Sequence, residues 1–425
     1  MIKKFYGNLG FLNKFPVNIP RNVFVPNCLY ENFVSSENLS ILGNNRNKII
    51  GGAISTSKNL SMIAAIGEYI ERYSSSFQNS TELIKSSYKA LNDELDCFDP
   101  INIKYFNKKQ YDSDFFRLNK LSIDSTTYWK ESINYFTGNS IFLPFFMTNV
   151  ENIEDDGLYH INTTTGTATH KTLDLAIQGG LLECIERDAF SKFWYYQNLK
   201  KFKKFSKDNI LQIFKNDEII FNLFNNKKVK IIVYDLGEYS FCPTYAVFIY
   251  FKKKGKIYYS LGASSRLEQN EALKKACIEA YQGIEFTELS CEKLKNEFDL
   301  SDIQNGNFSN VISFDKHYVL YNLFPELKEH VPIFIENENN SYKENWIFEY
   351  SHHIRSFDKK ELLDKGIDEI YYTDLTSIDV KQLGFYVVKV ITPKLHLLTG
   401  NHNYQYLGLY DEKENLFIKY PHPFP

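Results

Sequence analysis

The chain is poor in sulfur and has no long apolar run. Six cysteines are spread over 425 residues. None falls in a Cys-x-x-Cys pair or beside histidine at a spacing that suits zinc. A zinc ribbon and a disulfide scaffold are therefore excluded. Cys28, Cys97, Cys184, Cys242, Cys277 and Cys291 are expected to be reduced packing residues of a cytoplasmic protein. The longest apolar run, Tyr245–Phe251, is too short to cross a bilayer. The first residues, Met1-Ile-Lys-Lys-Phe-Tyr-Gly7, lack the sustained apolar stretch of a signal peptide, so no membrane partner is expected. Charge is nearly balanced, with a formal net of −3, which gives no footprint for nucleic acid. The basic stretches Lys200–Lys204 and Lys252–Lys256 read as solvated loops, the second inside a hairpin. P-loop and Gly-x-Gly-x-x-Gly fingerprints are absent too, so no standard nucleotide-binding fold is signalled. With 43% hydrophobic residues, the chain can still bury a large core.

What the chain does have is a repeated tetrad, Glu68-Tyr-Ile-Glu71-Arg72 and Glu183-Cys-Ile-Glu186-Arg187. Residues three and four apart share a helix face, so each set projects its acids and arginine together. One such tetrad is commonly a solvated ion pair worth roughly 0.3–0.5 kcal/mol. Two copies in matched surroundings ask for more. Each follows a glycine-containing segment (Gly51-Gly52-Ala-Ile-Ser55 and Thr164-Thr-Gly166-Thr-Ala168) and has small residues upstream (Ala64, Ala65, Gly67; Ala176, Gly179, Gly180). Glycine in a helix interior costs about 0.8–1 kcal/mol, so a close approach of backbone or ligand is expected to compensate. A third echo, Lys275 to Glu279 and Gln282, follows Gly262-Ala-Ser-Ser265, with Gln282 replacing the second acid. The reading is three helices, each entered from a Gly/Ser/Thr-rich turn, whose oxygens converge. Carboxylates gathered in that way stay ionised only with cations among them, and hard oxygens suit Mg²⁺ beside phosphates.

In order and approximate spacing, these three segments resemble the ATP-binding segments of the YcaO family. The last five residues, Pro421-His-Pro423-Phe-Pro425, resemble the Pro-x-Pro-x-Pro terminus of its azoline-forming cyclodehydratase branch. The resemblance runs from about Gly51 to Pro425. It implies ATP and Mg²⁺ as cofactors, with Glu68, Glu71, Glu183 and Glu186 holding the metal. Arg72 and Arg187 would lie against phosphate, Lys275, Glu279 and Gln282 would complete the nucleotide pocket, and Pro421, Pro423 and Pro425 would stand by the reacting amide. Some positions depart from the family pattern: Ile54 stands where many relatives have Lys, Thr165 where Asn is common, and Lys275 where Arg is common. Gln178 is one place away from the usual Gln.

The implied activity is ATP-dependent cyclodehydration of Cys, Ser or Thr in a ribosomally made precursor peptide. With no extra lobe evident before the first motif, the chain is expected to be the stand-alone catalytic member. Its expected partners are the precursor and a separate leader-binding protein of ubiquitin-activating-like or peptide-clasp type. A flavin-dependent azoline dehydrogenase and a second copy of the chain, as a homodimer within a complex, complete the set. Thioamide or macroamidine formation at the same ATP site stays open. So do a non-catalytic nucleotide-binding scaffold and an unrelated protein in which the tetrads are plain surface ion pairs.

The expected fold class is α+β, with three motif helices converging on one site. Residues 1–45 are expected to form loops and short strands, and 46–425 the catalytic domain. Apolar periodicity predicts helices over 59–76, with Asn59 or Ser61 as cap and Ile63, Ile66, Ile70 and Tyr73 as stripe, over 172–196, with Leu175, Leu182, Ile185 and Ala189, and over 270–288. Strands are expected at 228–234, 244–251, 256–261, 367–372 and 384–391. Residues 289–350 read as surface loops. His352 and His353 read as neighbours on a strand, unable to face one site.

Overall fold

In a computed structural model, residues 16–35, 49–76, 82–150, 159–161, 163–197, 203–335 and 350–425 are described. Helices and antiparallel strands are mixed, as the α+β expectation requires. Strands β1 (Val17–Asn18), β2 (Tyr30–Ser35) and β3 (Ile50–Ser55) form one sheet in that order. A six-stranded sheet runs β4 (Ile84–Ser87), β5 (Thr126–Asn134), β12 (Tyr371–Asp374), β13 (Tyr386–Ile391), β7 (Thr167–His170), with β6 (Ser140–Pro144) also on β5. The third sheet is β11 (Lys256–Ser265), β10 (Thr244–Lys253), β9 (Val229–Asp235) and β8 (Lys203–Ser206).

Each sheet sends one strand into one long helix: β3 into α1 (Lys58–Ser75), β7 into α2 (Leu173–Tyr195) and β11 into α3 (Gln269–Leu294). Every helix also leans on a neighbouring sheet, α1 on β7 and β13, α2 on β11 and α3 on β3. The three sheets are thereby tied around the helices. Gly/Ser/Thr-rich turns were expected before these helices; strands β3 and β11 stand there instead before the first and third, while before the second Thr165 and Gly166 do form a turn, just ahead of β7. The glycines of β3 and β11 exist for close packing. A Cβ on Gly51 would lie 2.2 Å from Ala65 O, and one on Gly262 would lie 2.3 Å from Ala280 N. Strand backbone thus rests directly on helix backbone, and the height of each acid above its sheet is fixed.

Other expectations need correction. The N-cap of α1 is Ser57, not Asn59 or Ser61, and its side chain makes no cap bond. Ile63 and Leu175, counted in the apolar stripes, are 38% and 43% exposed. The stretch 289–335 is not surface loop. It holds the last turn of α3 and helix α4 (Phe314–Leu323), whose Val319, Leu320 and Tyr321 are fully buried. A helix buried all round, with Lys316, His317 and Asn322 among its buried residues, carries no amphipathic stripe to read; residues 336–349 lie outside the described set. The Ile367 strand starts at Tyr371. Lys203 and Lys204 belong to strand β8, and Lys204 is buried, while Lys200–Phe202 lie outside the described residues. The hairpin at Lys252–Lys256 is present, with Lys254 and Gly255 at φ 50° and 82°, the left-handed pair that a two-residue turn demands. His352 and His353 are not on a strand, and both rings bond Gly237 O, at 3.1 and 2.9 Å. All six cysteines are unpaired, and no helix among the described residues is long and apolar enough to cross a membrane.

Candidate active site

The first acid of each tetrad clamps its own strand. Gly52 N–H donates to Glu68 Oε2 at 2.6 Å, and Gly166 N–H donates to Glu183 Oε2 at 3.1 Å. The glycine segments and the tetrads are therefore two halves of one local device. Gly166 has φ +86°, and a Cβ there would lie 2.2 Å from Val390 O, so only glycine serves.

The arginines close each set. Arg72 pairs with Glu68 at 2.6 Å and donates to Ile50 O at 2.6 Å. Arg187 reaches Glu183 at 3.2 Å and also bonds Glu186. Lys275 pairs with Glu279 at 3.1 Å. Gln282 Nε2 donates to Gly52 O at 3.2 Å, joining the third helix to the first motif strand.

The acids of the three helices feel one another. Loss of hydration holds the Glu71 carboxyl well above its usual range, and the charges of Glu183 and Glu68 push it further, against Arg72 and Lys389. Burial likewise raises Glu183, opposed by Arg187, the Gly166 N–H and Lys389, with Glu279 adding to the rise. Glu186 is pushed up to about 7 by burial and by Glu279 and Glu183, against Arg187 and Arg266. Glu71 itself makes no ion pair or hydrogen bond among the described residues.

Sequence reading missed Lys389 and Arg266. Lys389 lies 4% exposed in β13, donates from Nζ to Thr163 O, and is pushed down to about 8 by burial, with Cys184, Glu183 and Glu71 opposing. The signal was a lysine inside Tyr386-Val-Val-Lys-Val-Ile391, a run that otherwise reads as wholly buried strand. Arg266 stands one residue after the Gly262–Ser265 motif. Of the departing positions, Ile54 is buried, Thr165 is buried with its hydroxyl 2.9 Å from that of Thr163, and Gln178 is half-buried on α2.

Do these residues fit a divalent cation and a polyphosphate? Among the described residues, no three acidic, histidine or cysteine side chains stand close enough to hold one ion as they are. Glu68, Glu71, Glu183 and Glu186 share one electrostatic neighbourhood, but Glu68 and Glu183 are turned to backbone N–H groups and arginines. The chemistry of the set nonetheless fits. Glu183 repels both Glu71 and Glu186, and Glu71 has no counter-charge in contact among the described residues, so hard cations among them would relieve the repulsion. Arg72 and Lys275 are 45% and 42% exposed and stand open to phosphate oxygens.

The C-terminal tail reaches the second tetrad. Pro421, His422, Pro423 and Phe424 are buried and Pro425 is exposed. Phe424 lies under the Arg187 guanidinium, 4.3 Å from ring centroid to Cζ, and edge-on to Phe190 at 4.6 Å. Tyr321 donates to Pro421 O at 2.6 Å. His422 Nε2–H donates to Thr399 O at 2.8 Å, while its Nδ1 accepts from Phe424 N–H at 3.2 Å. Burial pushes His422 down to about 3, so it serves as a neutral strut. The loop bearing Thr399 is pinned in turn by buried Asp188, which accepts from His396 N–H at 2.8 Å and from Nδ1 at 2.7 Å. Prolines drew attention in the sequence, yet His422 and Phe424 make the anchoring contacts.

The profile of a family described as YcaO cyclodehydratase, ATP- and Mg²⁺-binding, matches residues 54–396. Among solved structures, a heterocyclase in complex with substrate and cofactor superposes with TM-score 0.60 at 17% identity, covering 91% of this chain and 50% of that one. The E. coli microcin synthetase McbBCD complex contains a chain with TM-score 0.63 and 20% identity, covering 99% of both. YcaO from Methanopyrus kandleri, bound with AMPPCP and Mg²⁺, gives TM-score 0.50 at 14% identity, covering 90% of this chain and 85% of that one. The chain thus spans about half the length of the heterocyclase and nearly all of the microcin synthetase chain. No curated protein sequence matches it significantly. At these identities the structural likeness speaks for the fold, and the profile covers most of the sequence: the chain belongs to the YcaO family.

Proposed function

We propose that the protein is an ATP-dependent peptide cyclodehydratase. The observation that carries this reading is the gathering of Glu71, Glu183 and Glu186, each raised by burial and by neighbouring acids, beside a second tetrad whose arginine packs on the buried Pro-rich tail. Glu68, Glu71, Glu183 and Glu186 would hold Mg²⁺, which supplies positive charge between nucleotide phosphates when bound. Arg72, Arg187, Lys275, Glu279 and Gln282 would orient the nucleotide. In the reaction, the Sγ or Oγ of Cys, Ser or Thr bonds to the preceding carbonyl carbon and gives up its proton. The resulting hemiorthoamide oxygen takes the γ-phosphoryl group, with ADP leaving. Its C–O bond then breaks, phosphate departs, the nitrogen loses its proton, and a C=N bond closes the azoline. This path suits an amide, whose oxygen is a poor leaving group until phosphorylated. Pro421, Pro423 and Pro425 hold the tail extended through their fixed φ. We place them beside the reacting amide and keep the chemistry itself for the nucleotide.

The neighbours bear on partners. One is a synthetase complex and another was solved with substrate, which supports action in a complex on a precursor peptide. A separate leader-binding protein, an azoline dehydrogenase and a homodimer belong to the same proposal, as does the cytoplasm, where six unpaired thiols stay reduced.

The test is mass spectrometry of the cognate precursor after incubation with the protein, its partner, ATP and Mg²⁺. Loss of one water per modified residue, dependent on ATP and abolished in Glu186→Gln, is expected. Replacement of oxygen by sulfur would move the assignment to thioamide formation, and nucleotide binding with no mass change would move it to a scaffold.

A further inference from the structure

Beyond the nucleotide-facing residues, β3 borders a partly open pocket. Gly52 and Ile54 lie on the face of β3 turned toward α3. Gly52 O meets Gln282 there, and Ile54 walls a cavity of about 160 Å³ between the small sheet and α3. Val25, Leu29 and Ile54, all buried, give it apolar sides. Two carboxylates face it, Glu31 from β2 and Glu285 from α3, one helical turn beyond Gln282.

Glu31 is only 6% exposed, and its Oε1 has no hydrogen-bond partner among the described residues. Glu285 Oε1 accepts from Asn22 N–H at 2.7 Å. Arg21 and Lys58 also line the cavity, at its exposed side, and among the described residues neither pairs with Glu31. Arg21 is exposed, bonds Asn27 Oδ1 at 2.7 Å and lies 6.0 Å over the Tyr30 ring; Lys58 is exposed as well. Burial, with Glu285 adding, pushes the Glu31 carboxyl up to about 8. Such a carboxyl, with an unmet oxygen beside a second acid, keeps its proton while the cavity is empty and gives it up when a cation enters.

We propose that this cavity binds the ammonium or guanidinium head of a basic peptide side chain, with Glu31 and Glu285 as counter-charges and Val25, Leu29 and Ile54 against its methylene stem. Long basic side chains bury their stems along apolar surface in this way. A metal ion is the poorer match, because two carboxylates between aliphatic walls supply too few oxygens for Mg²⁺ or Ca²⁺. The cavity adjoins the Gly52–Gln282 contact, but Glu31 and Glu285 are not among the residues assigned to the nucleotide.

The probe is n-butylammonium, followed by saturation-transfer NMR on the full chain, with butyrate and Mg²⁺ in parallel. A signal from butylammonium is expected, weakened on the order of tenfold in Glu31→Gln through loss of a charge-assisted contact and reduced in Glu285→Gln. Butyrate should give none. Equal signals in wild type and both variants, or a signal from butyrate, would overturn the assignment. Displacement of butylammonium by Mg²⁺ in the absence of nucleotide would replace it with a metal site. ADP affinity in the same variants separates this proposal from the catalytic one, since it should not change. Loss of both ADP and butylammonium binding would mark Glu31 as a structural strut and end the proposal.

Discussion

The two tetrads share a sequence and differ in surroundings. Arg72 of the first is 45% exposed, and its partner Glu68 is 33% exposed. Arg187 of the second is 19% exposed, grips two acids and rests on Phe424. The same letters thus build an open half and a closed half. An exposed pair is screened and worth little, whereas a buried one stores a large penalty that appears when either partner is removed. The open half is suited to meet a ligand arriving from water, and the closed half to act as a fixed wall.

Mutations that equalise the halves test this contrast. The largest effect is expected from Glu186→Gln, which keeps shape and removes charge from the closed half. ATP turnover measured by phosphate release should fall at least about 100-fold, beyond the range seen for residues that only support metal ligands, while circular dichroism stays native. Unchanged turnover would take Glu186 out of the site. Deleting Pro423–Pro425 removes the Phe424 ring from beneath Arg187, and cyclisation followed by precursor mass should suffer more than ATP affinity. Equal loss of both would instead indicate misfolding.

Stability sharpens the comparison next. Arg187→Ala leaves Glu183 and Glu186 without their partner and should cost about 3–5 kcal/mol in urea unfolding. Arg72→Ala should cost less than about 1 kcal/mol. Similar values would erase the distinction between open and closed halves. The smallest effect is in pH dependence. Glu186 has its folded pKa raised from 4.5 to about 7, so the folded state holds the extra proton within that window. Stability should therefore fall as pH rises from about 4.5 to 7. Glu186→Gln should flatten that part of the melting-temperature profile, and an unaltered slope would assign it to other groups.

The sequence made the three motif helices legible because periodic apolar residues and Glu-x-x-Glu-Arg spacing are local signals. Their meeting was inferred from repetition alone. Lys389 escaped because its partners, Thr163, Glu71 and Glu183, are distant in sequence, and a single lysine in a strand has no period. Helix α4 escaped because it is buried on all sides. The strands before the first and third motif helices were taken for turns because glycine ordinarily punctuates, whereas here Gly51 and Gly262 permit strand and helix to touch. His352 and His353 were misread because a two-residue periodicity was assumed where the chain is turning.

The hydrogen bond from Gln282 to Gly52 spans 230 residues, and each motif helix rests on a sheet that it does not follow. Local pieces can fold early, yet such distant pairings must overcome the entropy of closing long loops and come slowly. In a refolding experiment helical signal should therefore recover before nucleotide affinity, and a chain with any one sheet undocked should be rich in secondary structure but have no site.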